Sequence, residues 1–264
     1  MAVIHRPRAK GVARIVLKSP DADSLAGFFV AALGFARVEA HATGIDLCLA
    51  DSRLRIESAT GRPYPPDVPG WSPLFQHFAV ATPDISASYD RLGSAGRWSP
   101  ISRGGLQTLP ANTGGVTAFK FRDPDGHPLE LIEFPGDSRS SRIDHSAISV
   151  SDVGRSIAFY EMLGLTPGGR SFNHGPEQDA LDNLDHARVD VVAVEPPRRA
   201  PHVELLAYRA ADRVNEIAGP AYTLDVEDVA ATRIVFVTSA AFADRRFHDP
   251  DGHWLEWEIS PAGR

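Results

Sequence analysis

Two histidines and a glutamate stand out in this 264-residue sequence, because alternation along extended segments would set each histidine on the small-residue side of a strand and point the glutamate away from the bulkiest apolar pair of its own. In 77–81, His77, Ala79 and Ala81 share one side while Phe78 and Val80 share the other; in 143–150, His145, Ala147 and Ser149 oppose Ile148 and Val150. Bulky residues on one side suit packing under a helix. Small residues beside an imidazole suit a cavity wall. In 129–134 Glu130 opposes Leu129 and Leu131, and in 202–207 His202, Glu204 and Leu206 alternate with Val203, Leu205 and Ala207. A carboxylate in such a place is costly to bury unless it is matched. His77, Glu130 and His145 make a two-histidine, one-carboxylate set, with Glu204 as a candidate fourth ligand. Such donors leave open positions on a divalent ion, and they suit Fe(II), Mn, Ni or Zn. These ligands do not share one helix, so separate strands must converge to bring them together.

The elements that would do this repeat along the chain. Phe121-Arg-Asp-Pro-Asp-Gly-His-Pro-Leu-Glu130 recurs as Phe247-His-Asp-Pro-Asp-Gly-His-Trp-Leu-Glu256, with eight of ten positions identical. Leu33-Gly34-Phe35 likewise recurs as Leu163-Gly164-Leu165. The pattern predicts an α+β fold in two halves, 1–136 and 142–264, joined by a polar stretch from Gly136 to Arg142. Each half divides again, giving four βαβββ units. In the third, the strand 143–150 leads into an N-cap at Ser151-Asp152. A helix follows, with Val153, Ile157, Tyr160 and Leu163 on one face and Gly164 at its left-handed end. The second unit repeats the order with a strand at 77–81, a helix from Asp84 through Leu92, and a hairpin of 116–122 with 129–134. The first fits with a strand at 13–18, a helix over 21–33, and strands at 45–49 and 54–57. Matching Asp228 to Asp84 leaves too few residues before Phe247, so the fourth unit is predicted to be shortened, with its helix lost. Asp-Pro-Asp-Gly reads as a tight turn in both hairpins, and His127 and His253 as local turn residues. Trp254 and Trp257 read as packing aromatics, and the proline-rich stretches 62–73 and 195–201 as loops.

Composition narrows the function. An apolar fraction of 43% with 23% charged residues is that of a globular chain and excludes wholesale disorder. No apolar run approaches the roughly 18–20 residues of a membrane span, and no charged-then-apolar leader is read at the start; the expected location is the cytoplasm. A single cysteine, Cys48, excludes a disulfide scaffold or a thiolate cluster, so a metal must use His, Asp or Glu. A net charge of −7 offers no basic footprint for nucleic acid or anionic lipid. A small molecule is the expected partner.

These motifs resemble the vicinal oxygen chelate superfamily of glyoxalases, extradiol dioxygenases and bleomycin-resistance proteins. The likeness rests on His145-Ser-Ala-Ile-Ser-Val-Ser-Asp152 with Phe159-Tyr160 and Leu163-Gly164-Leu165, on His77-Phe-Ala-Val before Pro83-Asp84, and on both Asp-Pro-Asp-Gly-His-x-Leu-Glu hairpins. It covers nearly the whole chain. The resemblance implies two cupped mixed-sheet barrels, each made of paired modules around a metal held by first and last strands. Pairing modules one and two would combine Glu57, His77 and Glu130, with Arg14 or Ile15 where a histidine is expected. Pairing three and four would join His145, Glu204 and Glu256 without a second histidine. Pairing two with three gathers His77, Glu130, His145 and Glu204 and leaves modules one and four an emptied site; this is the expected arrangement. The resemblance further implies extradiol cleavage of a catechol with Fe(II) as first choice of metal and His202 as acid/base, although Arg246 stands where the extradiol tyrosine is expected. The alternatives are a glyoxalase-like lyase or isomerase, in which Glu204 moves a proton, and a metal-free drug-binding protein. A homodimer is the expected assembly.

Overall fold

The computed structural model describes residues 7–198, 201–209, 223–240, 242 and 244–260. The first module runs β1 (Gly11–Ser19), α1 (Ala22–Leu33), β2 (Ala36–His41), β3 (Gly44–Leu49) and β4 (Ser52–Ser58). The second comprises β5 (Gln76–Ala81), α2 (Ile85–Ser94), short strands β6 (Ser99–Pro100) and β7 (Gln107–Thr108), then β8 (Thr117–Arg122) and β9 (Pro128–Glu133). The third comprises β10 (Arg142–Ser149), α3 (Val153–Met162), β11 (Thr166–His174), α4 (Pro176–Asp182), β12 (Arg188–Glu195) and β13 (His202–Tyr208). The fourth holds β14 (Arg233–Thr238), β15 (Arg246–His248) and β16 (Trp254–Ile259). The chain is therefore an α+β protein of repeated modules, the last of them shortened: among the described residues no helix separates β14 from β15.

The three long helices start in the same way. Asp21, Asp84 and Asp152 each accept a hydrogen bond from the backbone amide three residues on, that of Ser24, Ala87 and Arg155 respectively. Two features depart from the sequence reading. Helix α4 falls where only strands and turns were expected; at seven residues it is too short to show a helical repeat, but Pro176 opens it and Glu177 and Asp179 favour its positive end. The first strand of module four lies after Asp228, not before it. Asp228 instead accepts from the backbone and guanidinium of Arg62, so its likeness to the helix-capping Asp84 was one of sequence alone.

The strands form two mixed sheets, ordered β15-β16-β14-β1-β4-β3-β2 and β11-β12-β13-β10-β5-β9-β8-β6. Modules one and four thus share the smaller sheet, and modules two and three the larger. The apolar clusters follow the other division. Phe78, Val80, Leu129 and Leu131 of module two pack with Ile15, Leu25, Phe29 and Leu54 of module one. Ile148, Val150, Tyr160 and Leu205 of module three pack with Ile234, Phe236 and Leu255 of module four. Each half of the chain keeps its own helix-side core, while each sheet takes one module from each half.

The repeated turns tie the two sheets together. Asp123 accepts from the amides of Asp125 and His127 and lies 2.8 Å from His127 Nδ1, whose Nε2 is 3.1 Å from the Val229 carbonyl just ahead of β14. Asp249 repeats this with Asp251 and His253, and His253 Nε2 reaches the Ser149 carbonyl at the end of β10. Gly126 and Gly252, at φ 98° and 94°, supply the left-handed residue that the turn needs. Burial opposes charging of His127, but the Asp123 carboxylate outweighs it and raises the pKa. A raised histidine stabilises most below its unfolded value, so this contribution should fade as pH climbs through the folded value. Replacing Asp123 by Ala should cost about 1–3 kcal/mol in urea denaturation, and Asp123→Asn should flatten that pH dependence; an unchanged denaturation midpoint would contradict this account of the turn.

Candidate metal centre

Neighbouring strands of the larger sheet carry the predicted residues in two transverse rows. In one row His202 of β13 lies beside His145 of β10, His145 beside Ala79 of β5, Ala79 beside Glu130 of β9, and Glu130 beside Lys120 of β8. In the next, Glu204 lies beside Ala147 and Ala147 beside His77. Ala79 and Ala147 are fully buried and end at Cβ, so the longer side chains on either side can lean over them. At about 4.8 Å per strand, the backbones of His145 and Glu130 stand about 10 Å apart. Their tips nevertheless meet, His145 Nε2 lying 3.5 Å from Glu130 Oε2. His77 Nε2 is 3.3 Å from the same oxygen, and ligand atoms of the three residues all fall within 4.8 Å of one another. Glu204 Oε2 is 3.6 Å from His145 Nε2, and its Oε1 is 3.4 Å from His202 Nε2. All five residues singled out in the sequence are gathered in one place.

The donor set fits a divalent cation. Bonds of about 2.1 Å at right angles place neighbouring ligand atoms about 3 Å apart, so shifts of a few tenths of an ångström would complete the arrangement. His145 Nε2 is buried with no hydrogen-bond partner, facing Glu130 and Glu204. On its other side Nδ1 lies 3.2 Å from Asp144 Oδ2, an outer carboxylate of the kind that fixes a ligand's tautomer. Burial pushes the His77 pKa down, which keeps the ring neutral and its lone pair available. Burial would raise Glu130, but the Lys120 ammonium and both imidazoles hold its carboxyl well below the usual range. Burial likewise opposes charge on His145, yet Glu204, Asp144 and Glu130 together raise its pKa well above the ordinary value. Without a cation, His145 therefore holds a proton among three carboxylates, and a bound metal would displace it.

The cluster opens onto a cavity of about 140 Å³ whose lining includes Leu109, Val116, Ile132, Leu181 and Tyr208. Lys120, Asp182 and Gln178, beside this cluster, escaped the sequence reading. Lys120 Nζ pairs with Asp182 Oδ1 at 2.7 Å, and Gln178 Nε2 donates to Asp182 Oδ2 at 2.6 Å. Asp182 and Gln178 lie on α4, which has no repeat partner. Lys120 faces Glu130 across the hairpin in the register that Arg246 holds to Glu256. The position assigned to Arg246 is thus corrected: Arg246 belongs to the smaller sheet, and Lys120 is its counterpart beside Glu130.

The smaller sheet shows what the same positions become without metal donors. Register places Arg14 where the larger sheet has His145, Arg233 for His77, Arg55 for Glu204, and Glu256 for Glu130. Val16 and Val235 fill the floor in place of the two alanines. Arg233, fully buried, bonds Glu57 at 2.6 Å and Glu256 at 3.2 Å, while Arg245 and Arg246 take up Glu256 at 2.9 and 3.0 Å. Guanidinium groups occupy the carboxylates that an ion would need, and no histidine is present at these positions.

A family model described as the Glyoxalase/Bleomycin resistance protein/Dioxygenase superfamily matches residues 11–131 and again 142–257. The chain belongs to this superfamily. Its structure is similar to that of a variant of glyoxalase I from Zea mays, with a TM-score of 0.62 at 15% identity over 95% of this chain and 94% of that one. It is also similar to a Bacillus subtilis protein assigned as a dioxygenase, with a TM-score of 0.57 at 12% identity over 98% of this chain and 87% of that one. At these identities the likeness establishes the fold that glyoxalase-superfamily proteins share. No curated protein matches the sequence.

Protein purified without chelator should hold one divalent ion per chain by elemental analysis. His77→Ala or His145→Ala should abolish retention, whereas Arg14→Ala should leave it unchanged. Because His145 starts out protonated, calorimetry near neutral pH in buffers of different ionisation enthalpy should show about one proton released per ion, with affinity rising with pH until the folded pKa of His145 is passed.

Proposed function

We propose that this glyoxalase-superfamily chain is a metal-dependent enzyme acting on a small molecule with two neighbouring oxygens, and that its reaction is extradiol-type ring cleavage of a catechol. The observation that carries this reading is the convergence of His77, Glu130 and His145 at the end of a cavity. Such a set of two imidazoles and one carboxylate leaves open positions for a bidentate substrate and for O2. A divalent ion held there, Fe(II) in this reading with Mn, Ni or Zn able to take the same donors, supplies Lewis acidity and a path for electrons between catecholate and oxygen.

The chain's own groups do the rest. Asp144 holds the His145 ring in one orientation through Nδ1. His202, paired with Glu204 and packed against His145 with ring centres 5.5 Å apart, is the proposed acid/base for one substrate hydroxyl, its neighbours His145 and Glu204 forming the cavity lining on that side. Leu109, Val116, Ile132 and Leu181 form an apolar wall for the ring. Lys120 sets a fixed positive charge beside Glu130 at the position where a phenol was expected; burial opposes that charge, and Asp182 sustains it by raising the lysine pKa.

A second chemistry, glyoxalase-like isomerisation or lyase chemistry, is favoured by Glu204 itself. A second carboxylate 3.6 Å from His145 Nε2 is placed to move a proton next to a polarised carbonyl. A small-molecule substrate and assembly as a homodimer belong to the same proposal. Anaerobic loading with Fe(II), followed by oxygen-electrode assays on a catechol panel, should show one O2 consumed per ring opened, and His202→Ala should lower turnover by roughly 10²–10⁴-fold while metal stays bound. Metal retention without oxygen uptake, combined with isomerisation of an α-hydroxy carbonyl substrate that Glu204→Gln abolishes, would replace the first chemistry by the second. Failure to take up any metal would leave only a binding protein.

A further inference from the structure

The cavity lining holds further polar groups that the metal donors do not use. Gln178 Oε1, Asn173 Oδ1 and the Tyr208 hydroxyl are buried without hydrogen-bond partners, and all three residues line the same cavity as His77, Glu130 and His145. Gln178 and Tyr208 are only 4% and 7% exposed, so water at the outer surface does not relieve them. Unpaired buried polar groups are rare and call for a partner. The orientation of the Gln178 amide is fixed, because its Nε2 donates to Asp182, whose other oxygen receives the Lys120 ammonium. The amide donor of Gln178 is thus spent within the protein and its carbonyl-type oxygen is left unpaired, while the Tyr208 phenol can accept as well as donate. Burial, and then the nearby Asp182, push the Tyr208 pKa up, which keeps its O–H intact.

The inner volume suits a single ring. The cavity, about 140 Å³, is close to the roughly 150 Å³ engineered cavity that takes up one benzene. One six-membered ring fills it.

We infer that the ligand is monocyclic, with its neighbouring oxygens at His77, Glu130 and His145 and a further hydrogen-bonding group, a ring hydroxyl or amino group, against Gln178 and Tyr208, and that these two residues select for that group. The vicinal-oxygen part rests on the proposed function; the donor part does not. A site built to pair a substrate O–H or N–H rejects the analogue that lacks it, because its own polar groups are then left bare.

The test compares two rings of similar size, 1,2,4-benzenetriol and 4-methylcatechol, by anaerobic calorimetry on protein loaded with redox-inert Zn(II). The triol should bind at least about tenfold more tightly. Tyr208→Phe and Gln178→Met should each shrink that preference to about twofold or less, while the Kd of 4-methylcatechol and the zinc content stay unchanged. Tyr208→Phe removes only an unpaired hydroxyl, so it carries the test if the Gln178 variant proves unstable. A second comparison, resorcinol against 3-methylphenol on protein stripped of metal, separates the two parts. A preference for resorcinol that Tyr208→Phe removes supports the donor-selecting groups even where no metal is retained. Equal affinity within both pairs, a preference that survives both substitutions, or no binding of any of the four rings would overturn the inference.

Discussion

The absence of side chains beyond a methyl at Ala79 and Ala147 is the constraint on which the rest depends. Strand spacing would keep His145 and Glu130 about 10 Å apart, well beyond coordination. Only a methyl group between them lets an imidazole and a carboxylate close to 3.5 Å over the intervening strand. Where the smaller sheet carries Val16 and Val235 instead, the floor is raised, and the flanking positions hold long arginines that bond carboxylates directly. The two sheets share a register and differ in side-chain length at a few positions, and that difference separates a set of donors from a closed ion-pair network.

Charge completes the contrast. In the larger sheet Glu130 stays ionised through Lys120 and two imidazoles, neither of which neutralises it as completely as a bidentate guanidinium would. It keeps lone pairs to give. Glu256, its counterpart, is contacted by Arg233, Arg245 and Arg246, and its oxygens are used up inside the protein. Removing Arg233, the fully buried member that joins Glu57 to Glu256, would leave both carboxylates with fewer cations to offset their burial, so the network is held in place by its own desolvation cost.

Much of this could be read before folding, and the reasons are particular. Period-two alternation placed His77 and His145 on faces of small residues and Glu130 on the face away from Leu129 and Leu131, and the repeat supplied the modules. The same alternation extends from His202 through Glu204 and Leu206 to Tyr208, so the phenol in the cavity lining was within reach of the argument and was missed by stopping short. Lys120 was hidden for another reason. Its partner Asp182 lies on a two-turn helix outside the repeated pattern, and a lysine on a strand reads as exposed until something buries it. The first strand of module four was misplaced because Asp228 sits in a local sequence like that of a helix cap, whereas its carboxylate serves Arg62 from a distant loop. Local pattern finds elements that depend on themselves and fails where a distant contact decides.

Each half of the chain owns a hydrophobic cluster, yet each sheet is shared between halves. The candidate ligand set therefore belongs to neither half: His77 and Glu130 come from one, His145 and Glu204 from the other. Severing the chain between residues 136 and 142 would yield two pieces, each able to bury much of its own oily interior and each holding half of those donors. A change in either half therefore reaches the same cluster, because its groups are a joint possession. Modules one and four share their sheet in the same way, and there the corresponding positions carry ion pairs, Arg14 with Glu258 and Arg233 with Glu57, that clamp one half to the other.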